Sequence, residues 1–319
     1  MKYAAGSLTL AGIALVHAAS AQNQILGAGY TTPPALSASV GQLVTLFVPA
    51  LNVPDATASQ VPLPTSLSGV SVAVRVPGVL DSTGYPTALP ILRVRTVPCE
   101  QGAPYPYYTA PCGNLSLTQI TAQIPAEKVC VGYPGEKCNG LPDTPSVLVL
   151  NVRANGVTGP DVPLGVGLWV RFLSSCDTIF GSSGPCYPLV THPDGSMVNN
   201  NNPARVGETT TIYATGLSPS ATGYPEPMSF QLPDSLGRFT FGYRVDLPTA
   251  DGSTLGGFVT QSAQAAYVGA VGGYIGLQQY NFKIPPMPAQ AHQCVGTSDV
   301  NASLTPPDTS PALYICVRP

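Results

Sequence analysis

The segment VGQLVTLFVPAL at residues 40–51 recurs in the second half of the chain as VGETTTIYATGL at residues 206–217. A second related pair follows at a similar offset, with LTQITAQIP at 117–125 and LQQYNFKIP at 277–285. Apolar and aromatic positions coincide in both pairs, although many polar residues differ. Two copies of a unit of roughly 100 residues or more predict tandem domains rather than a solenoid of short repeats.

Alternation of apolar and polar residues predicts that both copies are built of β-strands. Valines occupy every second position of residues 70–76, which places them on one face of a strand. Residues 239–243 alternate in the same way, and residues 147–152 are almost continuously apolar. Strands separated by Pro/Gly turns, without helical crossovers, indicate antiparallel sandwiches. We therefore predict an all-β protein with two tandem immunoglobulin-like β-sandwich domains and disulfide-stapled loops.

The repeats and the composition shifts predict four segments. These are a signal peptide at 1–21, a first sandwich at 22–170, a linker with a Cys176–Cys186 loop at 171–203, and a second sandwich at 204–319. Each sandwich is long enough to bury its own core.

The composition excludes several classes of protein. Of 319 residues only 9% are charged, with 13 Lys plus Arg against 16 Asp plus Glu, whereas soluble proteins carry about 25% charged residues. The absence of a basic excess argues against nucleic-acid binding, and the apolar content argues against disorder. With 33 glycines and 35 prolines, few runs are left for long helices.

The N-terminus predicts secretion. Lys2 is followed by an uncharged apolar stretch at residues 4–16, and the small residues 19–21 form a cleavage site that would leave Gln22 as the first residue. The apolar stretch is short for a membrane span of about 30 Å, and no later segment has the composition of one. We expect a secreted, extracellular or cell-surface protein without a membrane span.

An even number of cysteines in a secreted chain predicts disulfides. Their spacing suggests four local pairs: Cys99–Cys112, Cys130–Cys138, Cys176–Cys186 and Cys294–Cys316. A metal site is the alternative, but neither CxxC nor paired-histidine spacing occurs. We therefore predict no metal and no cofactor.

Three segments resemble a known family. THPDGS at 191–196, NPARVGE at 202–208 and IYATGL at 212–217 are similar to the uncharacterised secreted paired β-sandwich domain family described from Solibacter and other acidobacterial proteins. The resemblance spans roughly residues 41–317 and implies two halves similar to immunoglobulin-like TIG domains. It implies no catalytic residues, and the cysteine loops at 99–112 and 130–138 depart from the usual pattern of the family.

Enzymatic motifs are missing from the sequence. No GxSxG, HExxH or Walker-type segment occurs. His192 precedes a Pro-Asp-Gly turn and His292 lies in a Pro/Ala/Gln-rich segment, so both are predicted to be structural. We predict a protein that is not an enzyme. Paired carboxylates meet only in the fold, so an extracellular hydrolase built on a β-sandwich remains an alternative.

A tyrosine-rich loop is the candidate ligand site. Tyr105, Tyr107 and Tyr108 lie on a proline-stiffened segment inside the predicted Cys99–Cys112 loop. Such rings are suited to stacking on sugars or on a partner protein. The alternative is that they pack over the end of their own sandwich.

Two sequons, at Asn114 and Asn301, are glycosylation acceptors or simply polar turns.

The preferred hypothesis is a secreted, non-enzymatic structural, adhesion or surface-assembly protein that self-associates through sheet edges, since few charges blunt those edges. The second hypothesis is a carbohydrate-binding module that uses the tyrosine-rich loop. The expected partners are an extracellular protein, a glycan or a second copy of the chain; neither a nucleic-acid partner nor a membrane span is expected.

Overall fold

The computed structural model describes fourteen parts of the chain. They are residue 23 and residues 27–29, 37–39, 41–75, 87–98, 116–125, 146–167, 170–174, 188–216, 223–225, 237–248, 253–294, 301–305 and 312–319.

These residues form an all-β structure, as predicted, without an α-helix in the described ranges. The strands are β1 Gly27–Gly29, β2 Ser37–Ser39, β3 Leu43–Pro49, β4 Ala56–Thr57, β5 Ser71–Arg75, β6 Thr87–Ala88, β7 Ile91–Pro98, β8 Ser116–Gln123, β9 Ser146–Ala154, β10 Val157–Thr158, β11 Val162–Gly167, β12 Arg171–Phe172, β13 Val190–Thr191, β14 Ala204–Arg205, β15 Thr209–Thr215, β16 Arg238–Pro248, β17 Thr254–Gln264, β18 Tyr267–Ala270, β19 Gln278–Lys283, β20 Ala302–Thr305, β21 Leu313–Ile315 and β22 Val317–Arg318.

Two sheets form the first packing unit. One has the order β1-β3-β8-β7-β4, and the other has the order β2-β11-β9-β5-β6 with β10 paired to β9. The pairs are antiparallel except β2 with β11, which is parallel. Leu46 and Ile120 from the first sheet share one buried core with Val72 and Leu148 from the second. Because both sheets bury one face in that core, the unit is sandwich-like.

The second packing unit has the same organisation. Its sheets have the orders β12-β15-β19-β18, with β13 paired to β15, and β17-β16-β20-β21, and β14 pairs in parallel with β22. Aromatic rings fill the core: the rings of Phe239 and Phe282 lie 4.9 Å apart and those of Phe172 and Tyr280 lie 5.4 Å apart, both edge to face. Such pairs add about 0.5–1.5 kcal/mol each beyond the area they bury.

The repeated segments pair with each other inside each unit. In the first unit β3 runs antiparallel to β8, with Leu46 opposite Ile120. In the second unit β15 runs antiparallel to β19, with Ile212 opposite Tyr280. These four positions coincide in the alignment of the two halves, so the repeats preserve strand pairing and its register.

The predicted linker at 171–203 contributes to the second core where the structure describes it. Phe172, Val190 and Val198 are buried there, and β12 and β13 both pair with β15. The described residues of this segment are therefore part of the second packing unit.

Hydrogen bonds connect the halves of the chain. The buried Gln123 donates from Nε2 to the Gly41 carbonyl at 2.9 Å and accepts from the Gly223 amide at 2.5 Å. The Leu63 amide donates to the Gly223 carbonyl at 2.9 Å. Gly276 approaches the first unit so closely that an added Cβ would lie 2.5 Å from the Gly41 carbonyl oxygen.

One of the four predicted disulfides lies in the described residues. Cys294 and Cys316 are bonded, with their Cα atoms 5.6 Å apart, and the bond joins the segment after β19 to the end of β21. The six remaining cysteines, Cys99, Cys112, Cys130, Cys138, Cys176 and Cys186, lie outside the described residues.

Candidate functional site

The candidate site is the edge strand β17 of the second unit. Among the described residues β17 pairs with β16 along its whole length and ends its sheet. Its eleven residues, TLGGFVTQSAQ, include neither a charged residue nor a proline, and most are exposed. Natural edge strands are usually short, charged, bulged or interrupted by proline. β17 carries none of the sequence features that protect such an edge.

The hydrogen-bond pattern shows which backbone groups of β17 face away from the sheet. The Ala265 amide donates to the Gly237 carbonyl at 2.9 Å, which makes Gly237 and Ala265 a hydrogen-bonded pair. Since such pairs alternate along an antiparallel ladder, the N–H and C=O groups of Gly256, Phe258 and Thr260 point outward. These three residues therefore offer donors and acceptors to an additional strand.

Apolar side chains are uncovered on the face of the β16–β17 hairpin that continues from the core. Tyr243 and Val245 of β16 are buried on this face, but Leu247 is exposed, and Leu255 opposite it is 64% exposed. Val259 is also exposed. Burial along β16 therefore ends at Val245. Leu247 and Leu255 lie beyond it, and Val259 lies on the edge strand beside the buried Tyr243.

An aromatic pair lies on the opposite face of the same sheet. The rings of Phe258 and Tyr314 have centroids 6.1 Å apart and are 42% and 47% exposed. Gly242 lies beneath them: an added Cβ there would be 2.8 Å from Ser303 Oγ and 3.4 Å from the Phe258 ring. The missing side chain at this position leaves room for the Phe258 ring to lie across the sheet.

The predicted tyrosine site cannot be compared with this surface. Tyr105, Tyr107 and Tyr108 lie outside the described residues, so their interpretation as ligand-binding residues stays a prediction.

His192 lies in the turn between β13 and β14, and both of its ring nitrogens have hydrogen-bond partners. Its Nδ1 lies 2.6 Å from Glu208 Oε1, and its Nε2 lies 3.2 Å from the Asn202 carbonyl oxygen. Both partners can accept hydrogen bonds, so the arrangement favours the protonated ring. Burial by itself lowers the pKa of His192, but the bonds to Glu208 and Asn202 outweigh burial and hold that pKa above its ordinary value. Both ring nitrogens therefore have hydrogen-bond partners within the fold.

The residues around His192 form a bonded turn. The Gly195 amide donates to the His192 carbonyl at 3.0 Å. Asp194 accepts from both the amide and the hydroxyl of Ser196, and these bonds lower the pKa of its carboxyl. The arrangement is typical of an Asx turn.

The side-chain amide of Asn301, the acceptor residue of the second sequon, makes hydrogen bonds within the fold. The side chain is fully buried, and its Nδ2 donates to the carbonyls of His292 at 2.9 Å and Val317 at 2.8 Å. Its Oδ1 accepts from the Val317 amide at 2.8 Å. Glycosylation would modify this same nitrogen, which here donates to two backbone carbonyls and so ties strands together. Asn114 lies outside the described residues.

The sequence signal for β17 is a long uncharged run. Residues 254–264 contain no charged residue and no proline, which predicts an unprotected strand only if the strand is known to lie at an edge. Edge position depends on the sheet order, so the run alone did not single out these residues.

Two kinds of feature are absent from the described ranges. No helix in them is long and apolar enough to cross a membrane. They contain no group of three or more His, Cys, Asp or Glu side chains arranged to hold a metal ion.

No model of a protein family matches the chain, and no curated protein matches it.

Proposed function

We propose that this protein is a secreted, non-enzymatic adhesion or surface-assembly protein of two immunoglobulin-like units that binds an extended strand along the β17 edge. The signal-peptide pattern at residues 1–21 supports secretion.

The strand order supports immunoglobulin-like units. In that fold one sheet has strands A, B, E and D in order, and the other has G, F and C. The first unit has β1-β3-β8-β7 facing β11-β9-β5, and the second has β12-β15-β19-β18 facing β21-β20-β16. Lettered in chain order, both units match this arrangement, and β17 is an additional strand beside strand C of the second unit.

The observation that carries the proposal is the β17 edge. It joins outward backbone groups at Gly256, Phe258 and Thr260 with exposed aliphatic side chains at Leu255 and Val259. An added strand would gain main-chain hydrogen bonds from the first set and side-chain contacts from the second. This is the mode of recognition known as β-strand addition.

A proline at position 260 tests the proposal. The Thr260 amide faces away from β16, so Thr260→Pro removes a donor for an added strand without removing a bond of the β16–β17 ladder. Thr260→Ala is the matched control, because it shortens the side chain and keeps the amide.

The assay is binding of fluorescently labelled full-length protein to intact cells of the strain that produces it. We expect Thr260→Pro to lose binding at least about tenfold, whereas Thr260→Ala binds like the wild type and both variants keep its melting temperature. Equal binding of the two variants would refute the proposal.

A second candidate function is carbohydrate binding by the aromatic pair. Phe258 and Tyr314 present two exposed rings, with the hydroxyl of Ser303 between their strands. Exposed rings flanked by hydroxyl groups suit the stacking of a sugar ring. A glycan array followed by calorimetry tests this: Tyr314→Ala should abolish binding of any glycan that the wild type binds, and a wild type that binds no glycan removes the candidate.

A further inference from the structure

The β17 strand is complementary to a second copy of itself. Two-fold antiparallel pairing places a residue of one copy opposite a residue on the same face of the other, so only a few registers are available. Around the middle of β17 the residue at the axis is Gly257, Phe258 or Val259. These three registers differ in which exposed side chains they bring together.

We propose that β17 binds β17 of a second copy, antiparallel, with the two Gly257 residues opposite each other at the two-fold axis. The inference rests on the proposed function and names its partner. Each chain then adds the edge of the other, and two four-stranded sheets become one continuous eight-stranded sheet.

This register covers the exposed side chains of both faces. It places Leu255 opposite Val259 of the second copy, and the symmetric contact repeats the pair. Leu247 lies beside Leu255 across the hairpin, so the interface has two symmetric clusters of three aliphatic side chains, each with two from one chain and one from the other. With Val259 at the axis, Leu255 would instead face Ala263, which is already buried.

The same register places Phe258 opposite Gly256 of the second copy. An added Cβ at Gly256 would meet no atom within 4 Å, so the space beside this glycine is open. An aromatic side chain that lies across a glycine of the neighbouring strand is a known device for stabilising sheet edges. Phe258 fills this space in the dimer.

Charges also favour the Gly257 register. β17 has no charged residue, so two copies pair without like charges across the interface. In the row that contains Phe258, the flanking β16 residues are Arg244 in one copy and Asp246 in the other, which are opposite charges. With Phe258 at the axis, Arg244 would flank the row at both ends.

Sedimentation equilibrium across micromolar to near-millimolar concentrations tests whether the dimer forms. We expect a wild-type dimer, and we expect Leu255→Lys to weaken it at least about tenfold, because a lysine enters each of the two aliphatic clusters. Val147→Lys is the control, since Val147 is an exposed aliphatic residue of the first unit, 43% exposed, and its dimer should match the wild type.

Gly256→Val tests the register. The open space at Gly256 accommodates the new side chain in the monomer, but the valine occupies the position of the partner's Phe258. We expect the melting temperature to remain that of the wild type and the dissociation constant of the dimer to rise at least about tenfold. A Gly256→Val dimer as strong as the wild type would refute this register, since Gly256 faces Ser262 when Val259 lies at the axis.

Amide exchange followed by NMR reports on the edge directly. The outward amides of Gly256, Phe258 and Thr260 should exchange fast in dilute protein and slowly at high concentration, whereas those of Gly257 and Val259 stay slow throughout. A wild type that is monomeric at every concentration overturns the inference. If Thr260→Pro still loses cell binding in that case, the proposed function stands and its partner is a different chain. If Thr260→Pro binds cells like Thr260→Ala, the proposed function fails as well.

Discussion

Replacement of Asn301 should destabilise the second unit although this residue belongs to a sequon. The side chain makes three hydrogen bonds in a fully buried position, to the carbonyl of His292 and to both the carbonyl and the amide of Val317. Asn301→Ala removes all three bonds and leaves the backbone groups without these partners. Asn301→Asp keeps the size of the side chain but directs a carboxylate at two carbonyl oxygens.

The magnitude follows from the number of bonds. At about 1 kcal/mol net per hydrogen bond, Asn301→Ala lowers the free energy of unfolding of the second unit by about 3 kcal/mol. For a unit of this size the melting temperature falls by roughly 10 °C. Asn301→Asp should lose at least as much at neutral pH, because its charge is buried opposite two acceptors.

Ser303→Ala is the matched control. It destroys the same sequon while Asn301 keeps its three bonds, so its stability should change by less than about 1 kcal/mol. The assay is differential scanning calorimetry with urea unfolding, read on the transition of the second unit, together with the intact mass of the secreted protein. The hydrogen-bond account is wrong if the two alanine variants are equally stable, or if the intact mass contains a glycan on Asn301.

Three further outcomes are expected. The hydrogen bond to Glu208 raises the pKa of His192, so the protonated ring stabilises the fold below about pH 6.5 and this stabilisation is lost as pH rises through the folded-state pKa. Urea unfolding should therefore show that His192→Gln lowers the free energy of unfolding more at pH 5.5 than at pH 8.5. An equal loss at both pH values would contradict this. Gly276→Ala combines a positive φ with a Cβ 2.5 Å from a backbone oxygen, so it should lower the melting temperature more than Gly273→Ala, whose Cβ meets nothing; equal losses would refute the contact. Replacing both cysteines of the Cys294–Cys316 disulfide, which are 22 residues apart, with serine should lower stability by about 3 kcal/mol, and unchanged urea unfolding would show that the bond contributes nothing.

Strands were predictable where burial follows a period of two. The alternating valines of residues 70–74 became β5 with its flanking bridge, and the aromatic alternation of residues 239–243 became the buried face of β16. Where side chains alternate between solvent and core, apolar and polar residues alternate along the sequence, so a single segment is enough to predict the strand. The contribution of the predicted linker to the second core was harder to predict, because Phe172, Val190 and Val198 are scattered among turn residues and show no period.

The candidate site was the least predictable part. Exposed apolar residues such as Leu255 and Phe258 look like core residues in the sequence, since they are large and apolar. Only the order of the sheet shows that nothing in the described residues pairs with β17 on its outer side. The role of Asn301 was equally hidden, because its sequon describes three consecutive residues whereas its bonds reach His292 and Val317.

By itself, the sequence determined the all-β class and the duplication, whereas the pairing of β3 with β8 and of β15 with β19 came from the structure. The class and the duplication depend on local alternation and on similarity between segments, and both patterns can be seen in the amino-acid sequence. The tertiary structure alone decided which strand ends a sheet, where burial stops along the β16–β17 hairpin, and which polar side chains are bonded. Those properties depend on atoms brought together from distant positions, so no single segment contains them.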